Sequence, residues 1–311
     1  MYNPYFRGKQ YELITVRETA PILAAAKFTP IIEPVKQALG GLHRTLDSIC
    51  KANGSAAVIV NPYHGDHAED GDGISSLLKK EFLGKTQISA GILLKEGMTA
   101  AQALKFCSEH GDHALTLVHA GFVDAKALAD GLGDKAHNIR HVFFEPFCGK
   151  LYRKHFSEQP RVLLRDGFKR RRNKDHPLLE PFSDLHVTYP EEGMNGFGDF
   201  LIAGDDYFES GGPAYAVAIH LTFIDSEKDD EMYIYHFKSD RQDTPTDPAG
   251  KFIEALNTMI KTLNKPDSKV LETKAVKEFR ELHKKKHFPG LGYVKKLSMN
   301  HHIETLADYF S

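Results

Sequence analysis

Cysteine, net charge and long apolar runs are all scarce in this chain. Its three cysteines, Cys50, Cys107 and Cys148, stand far apart with no Cys-x-x-Cys pair, which argues against a structural zinc site built on thiolates and against a disulfide framework. Cys148 follows an apparent strand end and is the thiol best placed to be reactive; the other two read as buried filler. A formal net charge of −2 argues against a surface that coats nucleic acid or anionic membrane as a whole, so any such contact must be local. No apolar run approaches the roughly 18 residues of a membrane span. The opening Met-Tyr-Asn-Pro-Tyr-Phe-Arg is not a charged region followed by an apolar one, and a cytoplasmic protein is expected. No linker of disordered composition divides the 311 residues. The expectation is one domain over 1–311, with a barrel core over 28–240 and a C-terminal helical segment over 241–311.

What the chain does have is alternation. Short β-branched or aromatic runs recur at Pro30–Glu33, Ala57–Val60, Ile88–Leu94, Ala114–Val118, Val142–Phe144, Val162–Leu164, Phe200–Ile202 and Ala216–Phe223. Between them lie amphipathic segments such as Gly41–Asn53, Gly73–Phe82, Thr99–His110 and Val123–Leu132, the third opening on a Thr99 N-cap. The runs are almost continuously apolar, as strands buried on both faces must be. Eight such units, with no dinucleotide-type glycine fingerprint after the first, predict an α/β fold of the (β/α)8 barrel type over an open doubly wound sheet. Met232–Phe237 is expected to pair back on Ala216–Phe223 as a hairpin extension across the charged turn Asp225–Glu231, with helices following at about 251–263, 274–284 and 297–310.

A barrel concentrates function at the carboxyl ends of its strands. Just past the runs stand Glu33, the stretch Asn61–His64, Lys95, His119, Glu145, Arg165 with Asp166, and Gly204 with Asp205. Glu33 and Glu145 share one setting, Ile-Glu-Pro and Phe-Glu-Pro. Across a barrel mouth they would bind a cation or share acid–base work; alternatively, they pair with arginines in the same layer.

The densest basic segment, Arg161–Lys174, places Arg165 and Asp166 at the end of the run counted as the sixth strand, with Lys169–Arg172 in the loop beyond. Short cation runs are commonly solvated. Here, however, a helix over about 9–25, antiparallel to the first counted strand, brings Arg7 and Lys9 to the same mouth, where they and Arg165 could clamp an anion. Asp184 and His186 at i and i+2 point to one side if their segment is extended, which suits a metal or an Asp–His pair. His64, Asp66 and His67 are a comparable metal candidate. Gly196 and Gly198 read as a sharp turn ahead of the seventh strand. The stretch Gly290–His302, with Lys295 and Lys296, reads as a segment that caps the barrel or closes over its mouth.

The blocks YFRGKQYELITVRE, LLRDGFKRRRNKD, FSDLHVTY, GFGDF, AIHLTF and GLGYVKKLSMNHH resemble the signature blocks of a family of uncharacterised bacterial proteins, itself similar to the phage Beta-protein family. The likeness spans nearly the whole chain. It implies a (β/α)8-like barrel encoded beside a second protein, in a setting of mobile elements or phage defence. It transfers no catalytic residue.

Three functions fit these readings. The first is an enzyme on a phosphate-containing or nucleotide-like substrate, with Arg7, Lys9 and Arg165 as anion clamp, Asn61, Lys95 and His119 as further ligand contacts, and Glu33, Glu145, Asp166 or the Asp184–His186 pair as acid, base or ligands to a divalent metal. The second is a non-catalytic barrel that senses a ligand or docks a co-encoded protein partner. The third, a local nucleic-acid binder using Lys169–Arg172, has few aromatic partners and little net positive charge behind it.

Overall fold

The computed structural model describes every residue except Ser210, Gly211, Pro213 and Ala214. Its contacts sort the chain into two compact units: Met1–Arg165 with Thr188–Phe200, and Asp166–Val187 with Leu201–Ser311.

The first unit is a nearly closed parallel barrel. Its strands run β1 (Tyr5–Phe6), β2 (Ile31–Ile32), β3 (Ala56–Ile59), β4 (Ile88–Lys95), β5 (Ala114–Ala120), β6 (Arg140–Phe144) and β7 (Arg161–Leu164). The chain then forms β8 (Leu179–Ser183) outside the barrel and returns for β9 (Gly196–Gly198), giving the sheet order β1-β2-β3-β4-β5-β6-β7-β9. Helices α1 (Gln10–Ala25), α2 (Gly40–Lys51), α3 (Asp72–Glu81), α4 (Ala100–Glu109) and α5 (Ala125–Leu132) and the short α6 (Lys150–Arg153) alternate with the strands. Thr99 caps α4 as the sequence predicts, in a full capping box with Gln102. Ile31, Ala57, Ile59, Leu93, Val118, Val142, Val162 and Leu164 fill the barrel interior. A fully buried side chain of this kind contributes about 1.5–3 kcal/mol.

The (β/α)8 expectation is met, but two of its eight strands are different ones. Tyr5–Phe6 is the first strand, ahead of the helix taken to precede strand one, so Val162–Leu164 belongs to the seventh strand rather than the sixth. Phe200–Ile202 is not a strand. The last barrel strand is Gly196–Gly198, which glycine content had marked as a turn. The reason is a close backbone approach. Asn3 N donates to Phe197 O at 2.7 Å, Phe197 N to Met1 O at 3.0 Å and Tyr5 N to Asp199 O at 2.8 Å, a parallel bridge across the last gap of the ring. A Cβ on Gly196 would stand 2.3 Å from Met1 O, and one on Gly198 2.3 Å from Asn3 O.

The eighth expected strand lies in the second unit. There β10 (Ala218–Asp225) and β11 (Glu231–Lys238) form the predicted hairpin, paired from Ala218 with Lys238 to Asp225 with Glu231, and β8 adds to the other side of β11, all antiparallel. Asp229 and Asp230 take the left-handed conformation in the turn, which aspartate tolerates better than most residues. Ile219, Leu221 and Phe237 share a core with the amphipathic helices α8 (Pro248–Leu263) and α9 (Lys274–Lys285). The short α7 (Leu185–Thr188) precedes them in sequence and α10 (Leu291–Tyr309) follows. Most of the stretch Gly290–His302 is helix α10, in which Lys296–His302 are buried without interruption.

Gly198→Ala is expected to lower the unfolding free energy by about 1–3 kcal/mol, the usual cost of forcing atoms into filled space. Gly149→Ala, with nothing within 4 Å of its added Cβ, should stay within about 0.5 kcal/mol of the parent. Urea unfolding followed by circular dichroism compares the two; equal midpoints would show that the barrel does not depend on this contact.

Candidate active site at the barrel mouth

All eight barrel strands are parallel, so their carboxyl ends share one rim. Strand periodicity decides which side chains point into it. Tyr5, Ile31, Ile59 and Leu93 face the interior, and two residues on stand Arg7, Glu33, Asn61 and Lys95. Glu33, Asn61 and Lys95 stand at strand ends as expected; Arg7 and Lys9, expected at the mouth through the amino end of a helix, lie in the loop from β1 to α1.

Glu33 is the centre of this corner. It is fully buried, and an isolated carboxylate there would be costly. Four donors offset that cost. Oε2 accepts from the Arg7 guanidinium and from Tyr5 Oη at 2.9 Å; Oε1 accepts from the backbone N–H groups of Tyr63 at 2.7 Å and His64 at 3.1 Å. Burial alone would raise the Glu33 pKa, but Arg7 and these hydrogen bonds outweigh it and hold the carboxyl below its ordinary value. Glu33 is thus an ionised anchor, with both oxygens already engaged, and is poorly placed to be a base.

Cations surround that anchor. Lys95 Nζ donates to Pro62 O at 2.7 Å and lies 5.7 Å from the centre of the Tyr63 ring; its pKa is lowered by burial, opposed by Glu33. His64 is also shifted down, first by burial, against the pull of Glu33, and further by Arg7, Lys95 and Lys9. It is neutral at pH 7 and able to accept a proton. Three cations and one carboxylate act on it, so cations predominate in its surroundings. Beside it a cleft of about 420 Å³ is lined by Asn61, His67, Ser75, Lys95 and His110 among others.

The remaining candidates take other parts. Asn61 donates to Leu93 O at 2.9 Å and accepts from Leu93 N at 2.8 Å, a side chain that extends the strand ladder. Glu145 is held by a two-point pair with Arg165, Nε to Oε2 at 2.7 Å and Nη2 to Oε1 at 2.9 Å. That is the pairing alternative, and it ties up Arg165 as well as the carboxylate. His119 does not reach the mouth. It is buried among Phe143, Phe156 and Tyr152, its Nδ1 2.6 Å from Tyr152 Oη and its Nε2 2.9 Å from His141 Nδ1. Burial holds both histidines well below their ordinary range, His141 to about 3. Cys148 is buried too, with its thiol pushed up to about 12, so it is not the reactive group its position suggested.

In the second unit, Asp166 accepts from the backbone N–H groups of Phe168 and Asp205 at 2.9 and 2.8 Å, as a loop former does. Asp184 and His186 fall at a helical turn, where i and i+2 diverge. Asp184 is exposed, whereas His186 is buried with Nε2 2.8 Å from Asp230 O. Each of the four consecutive cations faces a carboxylate, Lys169 and Arg171 sharing Glu180, Arg170 with Asp206 and Arg172 with Asp175. His64, Asp66 and His67 do not converge. Among the described residues, the group of His, Cys, Asp and Glu close enough to share a metal ion is instead His176, Glu180 and His236. Tyr63 lies in the stretch Asn61–His64 expected at the mouth, but the part that Tyr5 and Tyr63 play as donors to Glu33 is not legible in the sequence: Tyr5 sits on a two-residue strand with no readable period, and Tyr63 contributes a backbone N–H.

Glu33→Gln is expected to cost about 3–5 kcal/mol, since it leaves Arg7 without its countercharge. Glu145→Gln, in a pair about one-third exposed, should cost under about 1 kcal/mol. Because the folded-state pKa of Glu33 lies below its ordinary value of 4.5, its contribution is complete above about pH 4.5 and fades as pH falls through the folded value. Denaturant unfolding between pH 7 and pH 3 should show that part of the acid loss in the parent and not in Glu33→Gln.

No family model and no curated protein matches the chain, and the site is read from its own geometry.

Proposed function

We propose that the barrel is an enzyme acting on a phosphate-containing or nucleotide-like substrate held at the corner formed by Arg7, Lys9, His64 and Lys95. The observation that supports this is the gathering of three cations on a neutral histidine around one saturated carboxylate. A phosphoryl group would meet this group of cations, with Lys95 as the contact bordering a cleft of ligand size. His64 would be the proton-transfer group. A divalent metal would add charge neutralisation to this chemistry and is not required by it. The resemblance to bacterial relatives of the phage Beta proteins adds phage defence as the setting.

A second reading has its own support. Glu33 and Glu145, the carboxylates best placed at strand ends, are both committed to arginines, which suits a mouth that recognises a ligand or docks the co-encoded protein without turning anything over. Nucleic-acid contact through Lys169–Arg172 has less behind it, since each of those cations faces a carboxylate.

Purified parent, Lys95→Ala, Arg7→Ala and His64→Gln are to be screened against nucleotides, oligonucleotides and phosphodiesters, with and without magnesium, manganese or zinc, with thermal midpoints recorded for folding. Lys95→Ala and Arg7→Ala should each weaken binding by about 1.5–3 kcal/mol, the worth of a charge-assisted contact. His64→Gln should keep affinity and lose turnover about 10²- to 10⁴-fold. Binding unchanged in both cation variants removes the clamp. A parent that binds but turns over nothing, while the co-encoded protein binds it tightly, replaces the enzyme with the docking barrel.

A further inference from the structure

We propose that His176, Glu180 and His236, in the second unit, bind one divalent transition-metal ion of the zinc type. Register brings them together. Glu180 on the edge strand β8 pairs with Ile234 of β11, and His236, two residues on, shares that face of the sheet. His176 enters from the segment just before β8 and stacks on His236 with ring centres 4.2 Å apart. His236 Nε2 is 3.1 Å and His176 Nδ1 3.7 Å from Glu180 Oε1, and one ligand atom from each residue lies within 4.8 Å of the others. Zinc bonds of about 2.1 Å at tetrahedral angles put ligand atoms about 3.4 Å apart, so only a small closure of the cluster is needed.

The second, independent observation is His176 itself. The residue is 2% exposed, yet neither ring nitrogen has a hydrogen-bond partner. Buried polar atoms seldom go unpaired, and an imidazole nitrogen aimed at a carboxylate and a second imidazole is what a metal ligand looks like before the ion arrives. His236 has the support a ligating histidine needs: with Nε2 on the metal, its Nδ1–H can donate to His220 Nδ1, 2.8 Å away. Burial keeps these rings neutral, the form that binds metal, with His236 near 4. Arg171 and Lys169 now lie on Glu180, and Lys238 and Lys295 act on the histidines from nearby. Arg171 is one-third exposed and free to swing aside when an ion replaces its charge. Two imidazoles and a carboxylate select zinc or cobalt over magnesium or calcium, and three protein ligands leave a tetrahedral ion one position for water or a further ligand.

Full-length protein stripped with a chelator is to be titrated with zinc against a chromophoric competitor. The parent should take up one equivalent, and cobalt in its place should give the visible bands of a four-coordinate site. His176→Ala, His236→Ala and the isosteric Glu180→Gln should each weaken zinc binding at least tenfold, His220→Ala about 10- to 100-fold, and the exposed His287→Ala not at all. Circular dichroism checks folding; should an alanine variant fail to fold, Glu180→Gln and His236→Gln decide. A parent that takes up no zinc at micromolar free metal overturns the proposal, as does stoichiometric binding with the same affinity in every cluster variant.

Discussion

The buried charge of Glu33 is the constraint on which the barrel mouth depends. A carboxylate with no exposed surface survives as an anion only if its oxygens are met by donors, and here three consecutive segments take part: Glu33 at the end of β2 accepts from Tyr5 and Arg7 of the first strand and its loop and from the backbone of Tyr63 and His64 after β3. One charge thereby fixes the relative placement of three strand ends. It also fixes where Arg7 points, and it holds the His64 backbone so that the imidazole stays in the field of Lys95 and Lys9. The electrostatics of the corner follow from that: Glu33 organises it, and His64 lies in the combined field of Glu33, Arg7, Lys95 and Lys9.

The same requirement, that buried or crowded charge find a partner, sorts the candidates elsewhere. It removes Glu145 and Arg165 from the list of free groups by pairing them at two points. It converts the basic run 169–172 from a ligand-seeking patch into a set of local ion pairs. His176 stands apart from that pattern: its ring is buried, its Nδ1 faces Glu180 Oε1 at 3.7 Å, and neither ring nitrogen completes a hydrogen bond.

Much of the architecture was legible because burial on both faces leaves a direct trace in sequence. Ala56–Ile59, Ile88–Lys95, Ala114–Ala120 and Arg140–Phe144 are central parallel strands, and their nearly unbroken apolar stretches say so. The hairpin from Ala218 to Lys238 was legible too, through two β-rich runs around a charged turn. Once the strands are parallel, the shared rim of Glu33, Asn61, Lys95 and Glu145 follows from direction alone. Their roles did not follow, since a strand-end position is common to a ligand contact, a ladder extension and half of an ion pair.

The sequence by itself determined the fold class, the central strands, the capped α4 and the side of the barrel on which polar groups collect, because each depends on periodicity or on neighbours a few residues away. Only the tertiary structure decided the rest. The strands β1 and β9, two and three residues long, are too short to carry a period, and Gly196–Gly198 is a strand because the backbone of Met1 and Asn3 comes against it. Likewise, the partner of Glu33 lies 26 residues away and that of His236 on another strand. Which charge meets which is set by the closing of a ring and the register of a sheet, and neither is written in any local stretch of the chain.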